Sequence, residues 1–305
     1  MVATRDRDAR LGELLASLRA QTLPPDRFEV VVVDDGSVDG TAALLAARPD
    51  VRVVPRDVGR GPAAARNDGW RVTRAPLVAF TDDDCVAAPG WLAALVAASA
   101  GAPGAVVQGR TAPREDERDR LGPFSRSLWV EGGPYYQTCN IAYPRSLLER
   151  LGGFDAGAFP FVGEDTDLAW RAIEAGASIA YAPEAVVNHA VVVLGPVGAL
   201  RFAFRWSDSI RLFARHPALR GPHLTKRVFW KGSHYLLARA LLTLLLPRRL
   251  WPLAAWLWLP YALHVVERGR VEGGGLALAP WFALHDLVEM AAVARGALRY
   301  RVPVL

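Results

Sequence analysis

The chain has 305 residues, enough for one large domain or two smaller ones with a well-buried core. Hydrophobic residues make up 51%, high for a soluble enzyme, and the formal charge of +5 is unevenly spread. Residues 1–195 carry 20 basic and 26 acidic side chains, whereas residues 196–305 carry 16 and 5 together with six of the ten Trp. A basic, apolar, Trp-rich tail points to an anionic membrane surface, and no nucleic acid is expected as a partner. The two cysteines, Cys85 and Cys139, form no Cys-x-x-Cys pairing and suit a reducing compartment. Thr4-Arg5-Asp6-Arg7 follows Met1 too closely for a signal-peptide apolar region, so the acid-rich part is expected in the cytoplasm.

Met1 to Thr4 reads as the stub of a first strand. Leu11, Leu14, Leu15 and Leu18 then recur at helical spacing between Arg10 and Ala20. Past Pro24-Pro25, the β-branched run Phe28 to Val33 fits a strand buried on both faces. It ends in Asp34-Asp35-Gly36-Ser37, where Gly36 supplies a turn and Ser37 or Asp39 can cap a helix over Ala42 to Ala47. Val51 to Val54 is a third strand, and Gly59-Arg60-Gly61-Pro62 opens a helix from Ala63 to Val72 with Pro62 in its first turn. A strand over Ala75 to Phe80 runs into Asp82-Asp83-Asp84. The alternation of strands and helices predicts an α/β fold with a mostly parallel sheet.

Three adjacent carboxylates repel one another unless a cation sits among them, and a hard divalent ion with oxygen ligands is the simplest one. Two strand ends carrying acid clusters place the same chemistry at one edge of the sheet, where open α/β sheets bind ligands. A helix (Trp91 to Ala98), a strand (Ala105 to Gln108) and a charged segment from Thr111 to Arg126, read as a mobile loop or lid, come next. Thr138 to Tyr143 returns to the core, Gly152-Gly153-Phe154-Asp155 turns tightly, and Gly163-Glu164-Asp165-Thr166-Asp167-Leu168 begins a helix that reaches about Ala175. Acids in that first turn suit the helix dipole by a few tenths to about one kcal/mol each. Asn188-His189 closes the compact part.

Beyond Leu200 two apolar runs, Ser233 to Leu246 (14 residues) and Trp251 to Val266 (16 residues), fall short of the roughly 20 a spanning helix needs. Lys226, Arg227, Lys231, Arg248, Arg249, Arg268 and Arg270 flank them. Helices lying in or dipping into one leaflet put every basic group on one side, which a crossing hairpin does not. A hairpin and a buried helical core or dimer surface stay open as alternatives.

Val31-Val32-Val33-Asp34-Asp35-Gly36-Ser37, Ala64-Ala65-Arg66-Asn67, Phe80-Thr81-Asp82-Asp83-Asp84, Gly152-Gly153-Phe154-Asp155 and Gly163-Glu164-Asp165-Thr166-Asp167-Leu168 occur in this order. Together they resemble the family 2 glycosyltransferases, inverting enzymes of GT-A fold. The resemblance spans about Thr4 to His189. It implies a GT-A domain over residues 1–200, with 1–110 the nucleotide-sugar half and 111–200 the acceptor and catalytic half; residues 201–305 are the basic helical tail. Thr4, Asp35, Arg66 and Asp83 would contact the nucleotide. Asp84, with Asp82 and His189, would hold Mg²⁺ or Mn²⁺ against the diphosphate. Asp165 would be the catalytic base, with Glu164 and Asn140 on the acceptor side. The implied donor is a nucleotide-diphosphate sugar; the tail alone, outside the shared motifs, suggests a glycan or lipid-linked acceptor and the cytoplasmic face of the cell membrane through residues 226–305. Processive relatives carry Q-x-x-R-W, whereas Phe202-Ala203-Phe204-Arg205-Trp206 keeps only Arg-Trp, which argues for transfer of a single sugar.

Each site residue has a plainer reading. Arg66 can pair with a strand-end Asp, Asp165 can serve only the helix dipole, Asn140 can be a core polar group and His189 a packed histidine. Two rival functions remain. Gly59-Arg60-Gly61-Pro62-Ala63-Ala64 satisfies the G-x-G-x-x-A pattern of a dinucleotide oxidoreductase, although Pro55 to Val58 separates it from its strand. A non-catalytic, membrane-docked nucleotide-binding module would keep the fold without needing Asp165.

Overall fold

The computed structural model describes residues 1–159 and 161–305. They form two compact units: residues 1–119 with 127–191, and residues 120–126 with 192–305.

The first unit is α/β. Its strands are β1 (Val2–Thr4), β2 (Val30–Asp34), β3 (Val51–Pro55), β4 (Leu77–Thr81), β5 (Cys85–Ala87) and β6 (Val106–Pro113); after β7 (Ser125–Arg126), which belongs to the other unit, come β8 (Asn140–Pro144) and β9 (Ile179–His189). Between them lie helices α1 (Asp8–Arg19), α2 (Thr41–Ala46), α3 (Pro62–Val72), α4 (Trp91–Gly101), α5 (Arg145–Leu151) and α6 (Glu164–Glu174). β1, β2 and β3 pair in parallel. The second sheet has the order β4-β8-β6-β9-β5, and within it only β6 and β9 are parallel. The parallel pattern expected from the alternation thus covers β1 to β3 and stops there. A parallel return needs a crossover element, and the chain between β6 and β8 carries no α-helix. Met1 joins the two sheets, its amine donating to the Ala79 carbonyl at 2.8 Å and its own carbonyl accepting from the Thr81 amide.

Local patterning explains the elements. α1 buries Leu11, Leu14, Leu15 and Leu18 against the sheet, each worth about 1.5–3 kcal/mol of hydrophobic burial. β2 is buried from Val31 onward, as its unbroken β-branched run requires. In α3, Asn67 accepts from the Phe154 amide at 2.9 Å and donates to the Phe154 carbonyl at 2.7 Å, docking the Gly152-Gly153 turn. Gly153 has φ +76°, and a Cβ there would lie 2.3 Å from Asn67 Oδ1, so the turn admits glycine alone.

Two features depart from expectation. Thr111 to Pro113 continues β6, and the charged segment after it is held in place instead of lying open as a lid. Arg10 donates to Glu117 at 2.5 Å, Glu117 accepts the Val191 amide at 2.7 Å, and Arg114 pairs with Glu13 and Asp116. The second feature is a bulge between β6 and β9, where the register steps from Gly109↔Ala182 to Arg110↔Val186.

In the second unit, β7 pairs with β10 (Val192–Val193). Helices α7 (Gly195–Phe204), α8 (Trp206–Ser209), α9 (Arg211–Arg215) and α10 (Arg220–His223) precede three longer ones, α11 (Gly232–Leu241), α12 (Pro252–Val271) and α13 (Ala279–Tyr300). The Phe202 ring packs edge-on against Trp206, with Arg126 and Arg205 over its face. Leu237, Ala240, Tyr261, Val265, Phe282 and Met290 form the core of the last three helices. The apolar run expected as one helix to Leu246 breaks after Leu241 into a 3₁₀ turn, while α12 runs past Val266 to Val271. Among the described residues, Gly275–Tyr300, which the apolar-run reading passed over, is long and apolar enough to cross a membrane, and a third of its 18-residue apolar window is buried.

Candidate functional site

The first unit gathers its acids where β2 and β4 end. In the Asp82–Asp84 turn, the mutual repulsion of three adjacent carboxylates is relieved by pointing each at a different partner. Asp82 Oδ1 accepts from Arg66 at 2.9 Å, Asp83 Oδ2 from the Thr4 hydroxyl at 2.8 Å, and Asp84 Oδ2 from Arg7 at 3.0 Å. Burial, helped by the negative Asp84, pushes the Asp83 carboxyl up to about 6, while Arg7 and the Thr4 hydroxyl oppose the rise.

The antiparallel register Cys85↔His189 sets His189 beside Asp84, with Nε2 3.4 Å from Oδ1. His189 Nδ1 lies 2.9 Å from the Ala190 carbonyl oxygen, which can only accept, so Nδ1 is the donor there and Nε2 is the ring nitrogen turned to Asp84. A cation between Nε2 and the carboxylate oxygen would be held by both, and an imidazole oriented by a backbone carbonyl is the usual arrangement of a metal ligand. Asp84, Cys85 and His189 each offer a ligand atom within 4.8 Å of the others. Burial pushes the Cys85 thiol well above its ordinary value in the absence of an ion, and Asp84 and His189 supply an O and an N donor. Asp82, expected in the same ligand set, is drawn away by Arg66 and does not join them.

Arg66 is buried and uses its fork on protein carboxylates: one nitrogen holds Asp82, the other Glu164 Oε1 at 2.7 Å. Arg66, expected at the nucleotide, here ties the end of β4 to the first turn of α6. Glu164, expected on the acceptor side, is buried in that tie. Asp165 follows it, with Oδ1 accepting the Thr166 amide at 2.7 Å. Burial raises its carboxyl to about 7; the Glu164 charge adds to the rise, and the Thr166 amide and Arg66 oppose it. A carboxyl that titrates near neutrality, separate from the strand-end acids, can take up a proton there.

Two expected site residues serve the scaffold. Asp35 is 4% exposed; its carboxylate accepts from Arg56 at 2.6 Å and from the Arg60 and Gly61 amides at 3.1 and 2.8 Å. It thus holds the Gly59–Gly61 loop, and the amides a dinucleotide pyrophosphate would need are occupied, which removes the oxidoreductase reading. Asn140 is fully buried and not on an acceptor surface. Its Nδ2 donates to the Arg110 and Ala185 carbonyls at 2.8 and 2.7 Å, and its Oδ1 accepts from Trp91 at 2.8 Å. These carbonyls flank the β6–β9 bulge, and a Cβ on Gly109 would lie 2.4 Å from Asn140 Nδ2.

Arg7 and Arg56 escaped the sequence reading. Both follow strand ends, β1 and β3, at the edge where the acids cluster, so a search for cations at that edge would have found them.

The family model described as glycosyl transferase family 2 matches residues 1–159, and that of glycosyl transferase family group 2 matches residues 134–266. The chain is 32% identical over 210 residues to validoxylamine A glucosyltransferase of Streptomyces hygroscopicus subsp. limoneus, covering 56% of this chain and 46% of that protein. It is 30% identical over 237 residues to pre-mycofactocin glycosyltransferase of Mycobacterium tuberculosis, covering 73% and 48%. The chain thus spans about half the length of these relatives. Among solved structures, the mannosyltransferase PcManGT of Pyrobaculum calidifontis, in complex with GDP-Man and Mn²⁺, shares the fold at TM-score 0.59 and 21% identity, covering 98% of this chain and 85% of that one. S. aureus TarS 1–349 in complex with UDP does so at TM-score 0.55 and 18% identity, covering 98% and 90%. The likeness to these structures is one of fold, GT-A. With the family model on more than half of its residues, the chain belongs to glycosyl transferase family 2.

Proposed function

We propose that this protein transfers one sugar from a nucleotide-diphosphate sugar to an acceptor hydroxyl, by metal-dependent single displacement with inversion. The observation that carries the reading is the reach of Arg66 from Asp82 to Glu164, which links the acidic strand end to the helix start bearing Asp165. Asp84 and His189 would hold Mg²⁺ or Mn²⁺, which would neutralise charge on the departing diphosphate. Asp83 and Thr4, already hydrogen-bonded, would meet the ribose or base. Asp165 would accept the proton of the attacking hydroxyl, its raised pKa bringing it near the pH at which a base works best. The GDP-Man, UDP and Mn²⁺ bound by the fold's neighbours support a nucleotide-sugar donor and a divalent cation.

We infer further that the second unit docks on anionic lipid from the cytoplasmic side, which favours a lipid-linked or cell-envelope acceptor. Between Asp208 and Glu267 the sequence has no acid and nine Lys or Arg. Leu244, Leu245, Trp251 and Trp256 expose 60–80% of their surface in this stretch. Apolar and aromatic groups with adjacent cations suit the lipid interface.

The experiment that tests the catalytic reading is a Mn²⁺-supplemented screen of nucleotide sugars, measuring nucleotide release with and without lipid acceptors. Acceptor-stimulated release from one donor class is expected. Binding of nucleotide without any transfer would return the protein to a docking module.

A further inference from the structure

The second unit holds a polar cluster that glycosyl transfer does not use. Three helices meet there: α11 contributes His234, α12 Tyr261 and Arg268, and α13 His285, Asp286 and Glu289. His234, Asp286 and Glu289 are each at most 1% exposed. One ligand-capable atom from each lies within 4.8 Å of the other two. His234 Nε2 stands 3.6 Å from Glu289 Oε2, close to the ~3.4 Å edge of a tetrahedron around an ion with bonds of about 2.1 Å.

The imidazole is the unexplained member. Neither ring nitrogen of His234 has a hydrogen-bond partner among the described residues, and the same is true of His285 Nδ1, 3.6 Å from the same Glu289 oxygen. A buried polar atom without a partner costs about 1–3 kcal/mol, a cost that an ion at this place would relieve.

The carboxylates, in contrast, are already arranged. Asp286 accepts from Tyr261 at 3.1 Å and from Arg268 at 3.2 Å, contacts of the kind that orient metal-binding carboxylates from outside the coordination shell. Glu289 takes the Lys231 ammonium on both oxygens at 2.7 Å. Lys231 is 43% exposed along its side chain and lines an open cavity of about 690 Å³ with Ser233, His264, Glu267, Arg268 and Glu272. Its ammonium therefore enters the cluster from the solvent side and can withdraw the same way.

We propose that His234, Asp286 and Glu289 form a second cation site for a borderline divalent ion such as Zn²⁺, and that the Lys231 ammonium keeps the place of the ion when it is absent. An imidazole with two carboxylates favours such an ion over Mg²⁺, which prefers an octahedron of oxygens and keeps its waters. His285 is the nearest candidate for a fourth ligand, and the cavity supplies the entry path.

The test uses the full chain, stripped of metal, titrated with Co²⁺ as a spectroscopic stand-in and with Zn²⁺ while melting is followed. The visible Co²⁺ band and the Zn²⁺-induced rise in melting temperature are expected to survive Asp84→Asn, which disables the donor-site ligand, and to vanish in His234→Gln. Lys231→Met removes the competing ammonium and is expected to tighten Zn²⁺. Loss of the band in Asp84→Asn with retention in His234→Gln would overturn the proposal. Should His234→Gln fail to fold, Lys231→Met decides alone: tighter Zn²⁺ binding upholds the site, and unchanged affinity overturns it.

Discussion

His189 Nε2 faces Asp84 Oδ1 across 3.4 Å, with the opposite ring nitrogen committed to the Ala190 carbonyl. The pair is complete once a cation lies between. Free UDP, GDP or dTDP should therefore raise the melting temperature only in the presence of Mn²⁺ or Mg²⁺. Asp84→Asn should abolish this shift, and His189→Ala should weaken metal-dependent nucleotide binding by about 10–100-fold. A shift that persists in both variants, or that needs no metal, would show that the ion is held elsewhere.

Asp165→Asn should leave nucleotide binding intact and reduce transfer by about 10²–10⁴-fold, the range of a positioned general base. The pH dependence follows from its raised pKa of about 7. Transfer should rise with pH through about 7 as the carboxyl ionises, and Asp165→Asn should flatten that limb. Stability runs the other way. The fold binds the Asp165 proton more tightly than the unfolded chain does, so this contribution is complete below the ordinary carboxylate pKa and fades as pH rises through about 7. Rate profiles and urea midpoints across that window measure both.

Arg66→Met leaves Glu164 buried without its cation, and a broken buried pair of this kind costs about 3–5 kcal/mol. Adding Glu164→Gln should return part of the loss. A double-mutant cycle from urea unfolding gives the coupling; purely additive losses would mean that the tie is not energetic.

Asn140→Ala strands two bulge carbonyls and the Trp91 indole, which predicts a loss of about 1–3 kcal/mol. The donor KM should stay unchanged if the residue is structural. A selective rise in the acceptor KM with normal stability would restore its acceptor-side role.

Arg248→Glu with Arg249→Glu should weaken binding to anionic liposomes by about 1 kcal/mol or more per site, with little effect on neutral vesicles. Equal binding to both vesicle types would separate the exposed Trp and Leu side chains from any electrostatic docking.

The motifs made the first unit legible in order and in type: the β-branched run of β2, the Leu spacing of α1 and the acids opening α6 all lie where their local chemistry puts them. The strand directions after β4 were not legible, because direction depends on what the chain does between strands and not on the strands themselves. Within the site, Asp84 and His189 are neighbours only through the β5–β9 register, a long-range fact that spacing in the sequence does not carry. Asn140 and Asp35 look like site residues because a polar side chain in a motif has the same letter whether it meets a ligand or a stranded carbonyl. The second unit was read from apolar runs, which pass over α13 because its buried Asp286 and Glu289 interrupt the apolar pattern.

The bulge between β6 and β9 lets Pro183 and Glu184 swing out to solvent while Val186 resumes pairing at Arg110. It therefore has the geometry of an expansion joint. The strand can gain or lose length at that seam without sliding His189 off Asp84, and the disturbance ends at the two carbonyls that Asn140 serves. Variation at the exposed Pro183 and Glu184 should be absorbed locally, leaving the edge of the sheet where the acids gather in register.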